Sequence, residues 1–155
     1  MKQGGDKRRT RRKASAQVDY TAIPDGCRLL EVMEREARCD LRARTTEYAL
    51  GIIRMYCSLP KTDVTRVLGQ QALRSGTSVG AHYREATRAR SVAEFISKME
   101  GGQQELEETD YWLELIVRSE IVRAGSLDAL VKETYELMAI FAASVTTAKR
   151  RLDGR

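Results

Sequence analysis

Residues 71–115 read QALRSGTSVGAHYREATRARSVAEFISKMEGGQQELEETDYWLEL and predict two long helices joined by a short connection. Small residues occupy positions where large apolar side chains are usual, and the helical glycines are Gly76, Gly80, Gly101 and Gly102. Glycine in a helix costs about 1 kcal/mol relative to alanine, so these positions need a compensating contribution. When the two segments fold back on each other, Ser78 is expected to face the Gly101 region. Close packing of two backbones is one interpretation of this pattern, and a bound ligand is the alternative.

Apolar residues at spacings of three and four predict a helix on either side of this central pair. The first runs from Leu41 to Leu59, ends before Pro60, and has its core positions at Leu41, Thr45, Tyr48, Ile52, Met55 and Leu59. Residues 27–39 predict a shorter helical segment that leads into it. The core positions of the last helix are Leu127, Leu130, Thr134, Leu137, Phe141, Val145, Ala148 and Leu152.

The two central helices have recognisable ends. Helix two is predicted to start at Thr62 or Asp63, either of which can act as its N-cap, and to end near Thr87. Its core arc contains Val64, Leu68, Gln71, Ser75, Val79, His82 and Ala86. Ser91 and Glu94 form a predicted capping box that opens helix three. Its core positions are Val92, Phe95, Met99, Gly102, Leu106, Thr109, Leu113 and Ile116. Helix three is predicted to end near Arg123. Gly125–Ser126 is predicted to stop this helix and to cap the next one.

Four long helices with short connections predict an all-α fold, an antiparallel up-down-up-down four-helix bundle. The chain of 155 residues suits one such domain at residues 27–155, with its core at 41–152. Two prolines and 6% aromatic residues also favour long helices. No run of 18 apolar residues and no apolar leader is present, so we expect a cytoplasmic protein without a membrane partner.

The basic charge is concentrated at the amino terminus. Residues 1–13 contain seven basic residues and one acidic residue, whereas residues 14–155 contain 20 and 21. We predict that residues 1–26 form a disordered basic extension, because they lack apolar periodicity. Its candidate phosphate-binding residues are Lys7, Arg8, Arg9, Arg11, Arg12 and Lys13, and a solvated arm without a ligand is the alternative.

Helix two contains one further basic feature, a stripe formed by Arg66, Arg74, Arg84 and Arg88. These four residues lie within about 80° of one another, opposite the core arc. They could contact the phosphates of RNA or DNA, an acidic face of another subunit, or water alone. On helix three, Tyr111 and Trp112 are candidate interface residues, since Trp112 lies off the core stripe and is expected to be exposed.

Catalytic and metal sites are not indicated. The single histidine, His82, lies in a core arc and is expected to be a satisfied buried polar residue. A di-iron bundle needs Glu-x-x-His on two helices, whereas this chain has one histidine in the reverse order, His82-x-x-Glu85. The acidic residues of helix three allow a magnesium site or a solvated face, and the second is favoured because they point in several directions. We therefore expect no enzyme, no catalytic residue, no metal and no cofactor.

The run LRSGTSVGAHYREA at residues 73–86, followed by Arg90–Ser91, Glu94-Phe-Ile and Glu105-Leu-Glu, resembles the bacterial large-subunit ribosomal RNA intervening-sequence proteins. The resemblance extends over about residues 41–152. One departure is His82, where the family usually has asparagine. The basic extension lies outside the family core.

This resemblance implies an antiparallel bundle, commonly assembled as a pentamer and without established enzymatic activity. It also implies a link to the accessory proteins of diversity-generating retroelements, which are positively charged pentamers that bind nucleic acid and a reverse transcriptase. A nucleic-acid-associated homo-oligomer is therefore expected. The alternative is a structural or protein-binding oligomer without nucleic acid, because a fold alone does not determine a function.

Overall fold

Four α-helices make up the described part of this computed structural model, which covers residues 26–154 and the side chains of residues 40–154. They are α1 (Gly26–Ser58), α2 (Asp63–Ala86), α3 (Val92–Arg118) and α4 (Asp128–Asp153). The chain divides into two compact units, Met1–Glu34 and Arg35–Arg155, and the first is described only over the helical residues 26–34. In the second unit the helices form the predicted all-α four-helix bundle. The predicted disordered extension lies outside the described residues apart from Gly26.

Helix α1 is longer than expected. The predicted lead-in at 27–39 and the first helix belong to one continuous helix, because no proline or glycine separates them. The six predicted core positions of this helix are all buried. The predicted core positions of α3 are also buried from Met99 onward. The predicted core positions of the last helix and its N-cap that are buried are Leu127, Thr134, Leu137, Phe141, Val145 and Ala148.

The helix ends confirm part of the prediction. Thr62 is the N-cap of α2, and its hydroxyl accepts the amide hydrogen of Thr65 at 3.2 Å. Ser91 caps α3 through the amide of Glu94 at 3.1 Å, but the Glu94 carboxylate accepts from the amide of Arg90 and not from that of Ser91. The expected reciprocal capping box is therefore only half formed.

The connection between α3 and α4 differs from the prediction. Helix α3 ends at Arg118, where the hydroxyl of Ser119 donates to the carbonyl of Leu115 and Glu120 adopts a left-handed conformation with φ of 56°. Gly125 also has a positive φ of 78°, but it lies well beyond the end of α3. Leu127 is the N-cap of α4 and makes no side-chain cap bond, so Ser126 is not the cap.

The small residues of α2 pack mainly against α1. A Cβ built on Gly76 would lie 2.7 Å from Ile52 Cγ1, and one on Gly69 would lie 2.8 Å from Leu59 Cδ1. The buried arc of α2 is therefore rotated toward α1, and Val64, a predicted core residue, is 62% exposed. The expected α2–α3 seam is also shifted, because His82 and not Ser78 lies against Gly101. The glycines therefore make room for large side chains of neighbouring helices, whereas the first interpretation predicted small residues facing each other between α2 and α3.

A buried polar layer crosses the middle of the bundle and takes one residue from each helix. The hydroxyl oxygens of Tyr48 (α1) and Thr134 (α4) lie 2.8 Å apart, as do those of Ser75 (α2) and Thr109 (α3). Thr109 also lies near the Tyr48 hydroxyl, so the two pairs are neighbours in this layer. Burial raises the pKa of Tyr48 to about 12, because the phenolate would lose its hydration. Since buried polar groups need partners, this layer disfavours other axial registers of the four helices.

Candidate nucleic-acid interface

The predicted arginine stripe of α2 divides between two neighbouring helices. Arg74 turns toward α3, where its guanidinium lies 2.5 Å from Glu108 Oε1. Arg84 turns toward α1, where Nη2 donates to Thr46 Oγ1 at 2.8 Å. The four arginines therefore do not form one continuous basic surface, although the helical angle between them is small.

Two members of the stripe lie at opposite ends of α2. Arg66 is in the first turns and forms an exposed ion pair with Asp63 at 2.9 Å. Arg88 follows the helix in the turn toward α3, where its amide donates to the carbonyl of Glu85 at 2.9 Å. Arg88 is exposed, and its side chain has no carboxylate partner within the described residues. Only Arg84 and Arg88 of the stripe are therefore without a neutralising acid.

Most other basic residues of the bundle are paired. Arg44 binds Glu133 and Glu136 on α4, and the hydrogen bond with Glu133 raises the pKa of its guanidinium. Lys98 and Glu85 lie 2.7 Å apart; their hydrogen bond raises the pKa of the lysine and lowers that of the glutamate. Exposed pairs of this kind contribute little to stability, but they remove positive charge from the surface.

The two aromatic interface candidates differ in exposure. Tyr111 is 53% exposed, whereas Trp112 is partly buried and its Nε1 donates to Glu108 Oε1 at 3.2 Å. The expectation of an exposed Trp112 is therefore wrong, because its ring packs against the core and beside Tyr111. The hydroxyl of Tyr135 on α4 donates to Asp110 Oδ2 on α3 at 3.1 Å. This hydrogen bond raises the pKa of Tyr135.

His82 was expected to be a satisfied buried polar residue, and the structure contradicts this for one atom. Its Nδ1 is buried and has no hydrogen-bond partner in the described part of the chain. The ring lies over Gly101, where a Cβ would be 2.9 Å from Cε1. Glycine at position 101 therefore makes room for the imidazole.

Sequence reasoning did not single out Arg42 on α1. It lies one turn before Thr46, whose hydroxyl donates to the Arg42 carbonyl at 2.8 Å and accepts from Arg84. Arg42 is exposed. Its proximity to Arg84 depends on the pairing of α1 with α2, which the spacing of residues along one helix does not reveal. The basic residues at 7–13 lie outside the described residues, so their contribution stays a prediction.

Within residues 26–154, no helix is long and apolar enough to cross a membrane. No cluster of three or more histidine, cysteine, aspartate or glutamate side chains among residues 40–154 could hold a metal ion.

A model of the 23S rRNA-intervening sequence protein family matches residues 38–143. The chain belongs to this family. The match begins in α1 and ends in α4, so it includes all of α2 and α3. Residues 1–37, with the basic run at 7–13, precede it.

A crystal structure of a protein of unknown function from the S23 ribosomal protein family of Bacteroides thetaiotaomicron VPI-5482 is similar to this member of the intervening-sequence family. The two sequences are 32% identical, the TM-score is 0.66, and the alignment covers 70% of this chain and 97% of the other. No curated protein matches the chain. Neither the family description nor that of the similar structure names an enzyme.

Proposed function

We propose that this protein is a non-enzymatic, oligomeric scaffold that associates with nucleic acid in the cytoplasm. Membership of the 23S rRNA-intervening sequence protein family is the observation that carries the proposal, because the family is named for an insertion in ribosomal RNA. Ribosomal RNA is a cytoplasmic ligand in bacteria. Its repeated phosphates attract arginine and lysine without regard to sequence.

The distribution of charge supports the same function. The extension carries a net charge of +6 within residues 1–13, and the bundle adds Arg42, Arg84 and Arg88, which form no ion pair with a carboxylate in the described part of the chain. A homopentamer would repeat these basic elements five times, so weak phosphate contacts would combine through multivalency. A reverse transcriptase is the protein partner that the retroelement resemblance suggests for such an assembly.

A salt series of filter-binding measurements tests the proposal with the full-length protein, labelled structured RNA and duplex DNA of equal length. We expect binding to both, with an affinity that falls steeply as salt rises because counterions are released. A variant that lacks residues 1–13 distinguishes the contribution of the extension to binding from that of the bundle. Absence of binding to either nucleic acid at low salt would overturn the proposal. Light scattering at micromolar concentration tests the oligomer, and a mass of 17.5 kDa would exclude it.

A protein-binding oligomer is the second candidate, and exposed apolar residues favour it. Leu50 and Ile53 lie on one face of α1 and are 40% and 39% exposed. Exposed apolar residues that lie next to one another are typical of surfaces that bind another protein. A stable oligomer without nucleic-acid binding would support this alternative.

A further inference from the structure

We propose that three arginines at the outer edge between α1 and α2 bind the phosphodiester backbone of a nucleic acid. These residues, the α1/α2 arginine cluster, are Arg42, Arg84 and Arg88. The inference rests on the nucleic-acid association proposed above and assigns it to one edge of the bundle. It includes a residue on α1 and excludes Arg66 and Arg74 of the predicted stripe.

Neutral groups hold the central guanidinium of this cluster in place. Arg84 Nη1 donates to the carbonyl of Gly80 at 2.8 Å, and Nη2 donates to Thr46 Oγ1 at the same distance. Thr46 Oγ1 in turn donates to the carbonyl of Arg42, so the hydroxyl links α1 to α2. Arg84 therefore keeps its full charge while its side chain is already ordered. Ordering before binding lowers the entropy lost when a ligand is bound.

A glycine provides the space for this arrangement. A Cβ built on Gly80 would lie 2.8 Å from Arg84 Nη1, whereas its next neighbours, the carbonyl oxygen and Cβ of Thr45, would be at 3.5 and 3.7 Å. Any side chain at position 80 would therefore displace the guanidinium before it disturbed the helix contact. The absence of a side chain at this position fits a role in positioning Arg84.

Acidic side chains are absent from this edge within the described residues. Glu85 points toward α3, where it binds Lys98 at 2.7 Å. Asp40 and Arg42 are two residues apart on α1, so they lie on nearly opposite sides of the helix. The α1/α2 arginine cluster is consequently a local concentration of positive charge without a carboxylate partner. By contrast, Arg74 is bound to Glu108.

Arginine suits this ligand because its planar guanidinium forms paired hydrogen bonds with phosphate oxygens. Arg42 and Arg88 are both exposed. Arg42 lies one turn before Thr46, which holds Arg84, and Arg88 follows Arg84 by four residues, so neighbouring phosphates of one strand can be contacted together. Contacts to the backbone give affinity and position but do not read bases. We therefore expect binding without sequence preference.

The test uses full-length protein in the same salt series, with Arg42→Gln/Arg88→Gln as the main variant. Neither side chain has a partner to lose within the described residues, so the fold should be retained, and circular dichroism checks this. The matched control is Lys61→Gln/Arg123→Gln, which removes two exposed and unpaired charges at the opposite end of the bundle. Removing two phosphate contacts should reduce the slope of log K against log salt by about 2, whereas the control should leave it unchanged.

A second variant, Gly80→Ala, displaces the Arg84 guanidinium without changing any charge. We expect severalfold weaker binding, an unchanged salt slope and retained thermal stability. Equal slopes for the main variant and its control would overturn the inference and leave the proposed function intact if the wild type still binds. A change of oligomeric mass in the main variant without a change in binding would also overturn it, because the arginines would then contact another subunit. Failure of the wild type to bind would overturn both proposals.

Discussion

Replacement of Gly76 by alanine should destabilise the bundle, although alanine is the better helix former. Its new methyl group would lie 2.7 Å from Cγ1, 3.0 Å from Cδ1 and 3.1 Å from Cγ2 of Ile52. Ile52 is fully buried, so it has little room to move. Helix propensity favours the variant by about 1 kcal/mol, whereas overpacking of a core costs about 1–3 kcal/mol. We expect a net loss of about 1 kcal/mol in the free energy of unfolding.

Gly51→Ala is the matched comparison, because Gly51 is also inside a helix. Its methyl group would lie 3.3 Å from Leu130 Cδ1, the end of a flexible side chain. The free energy of unfolding of this variant should rise by most of the difference of about 1 kcal/mol in helix propensity between glycine and alanine. Urea unfolding followed by circular dichroism, at one protomer concentration, measures both free energies.

A double-mutant cycle with Ile52→Ala identifies the cause of the loss at Gly76. The three atoms nearest to the new methyl group all belong to Ile52, so the double variant should be more stable than the sum of the single effects by about 1–3 kcal/mol. Equal stability of Gly76→Ala and Gly51→Ala, or additive effects in the cycle, would show that the close approach of α1 and α2 at Gly76 is not required.

Two further predictions concern the polar layer and a helix cap. Tyr48 is neutral in both states below pH 10, whereas between pH 10 and its folded-state pKa of about 12 only the unfolded state ionises. The free energy of unfolding should therefore fall by about 3 kcal/mol between pH 10 and 12. In alkaline unfolding, Tyr48→Phe should lose most of this dependence, whereas Tyr135→Phe, which removes the smaller contribution of an exposed tyrosine, should keep most of it. Ser91→Ala should lower the free energy of unfolding by about 1 kcal/mol through loss of the α3 cap, whereas Ser97→Ala, at an exposed position in the second turn of the same helix, should not. Equal effects of the two variants in urea unfolding would contradict the role of the cap.

The apolar periodicity of α1, α3 and α4 was sufficient to predict most of the core, because large side chains mark the buried face of each helix. It was less successful for α2, where the closest contacts are made by glycines. Gly69 and Gly76 carry no apolar side chain, so periodicity placed the core arc too far from α1 and included Val64. The end of α3 was also missed, since the left-handed conformation of Glu120 is not encoded by a typical stop residue.

Electrostatic partners were harder to predict than helices, because they depend on which helices are neighbours. Arg74 and Arg84 lie on the same general side of α2, yet one is neutralised by Glu108 on α3 and the other is held by Thr46 on α1. The angle between two residues around one helix does not reveal this difference in their partners. The same neighbour relation brings Arg42 beside Arg84, although 42 positions separate them in the chain. A basic stripe read from one helix therefore identifies candidate residues, but only the packing of α1 and α3 on either side of α2 shows which charges remain available to a phosphate.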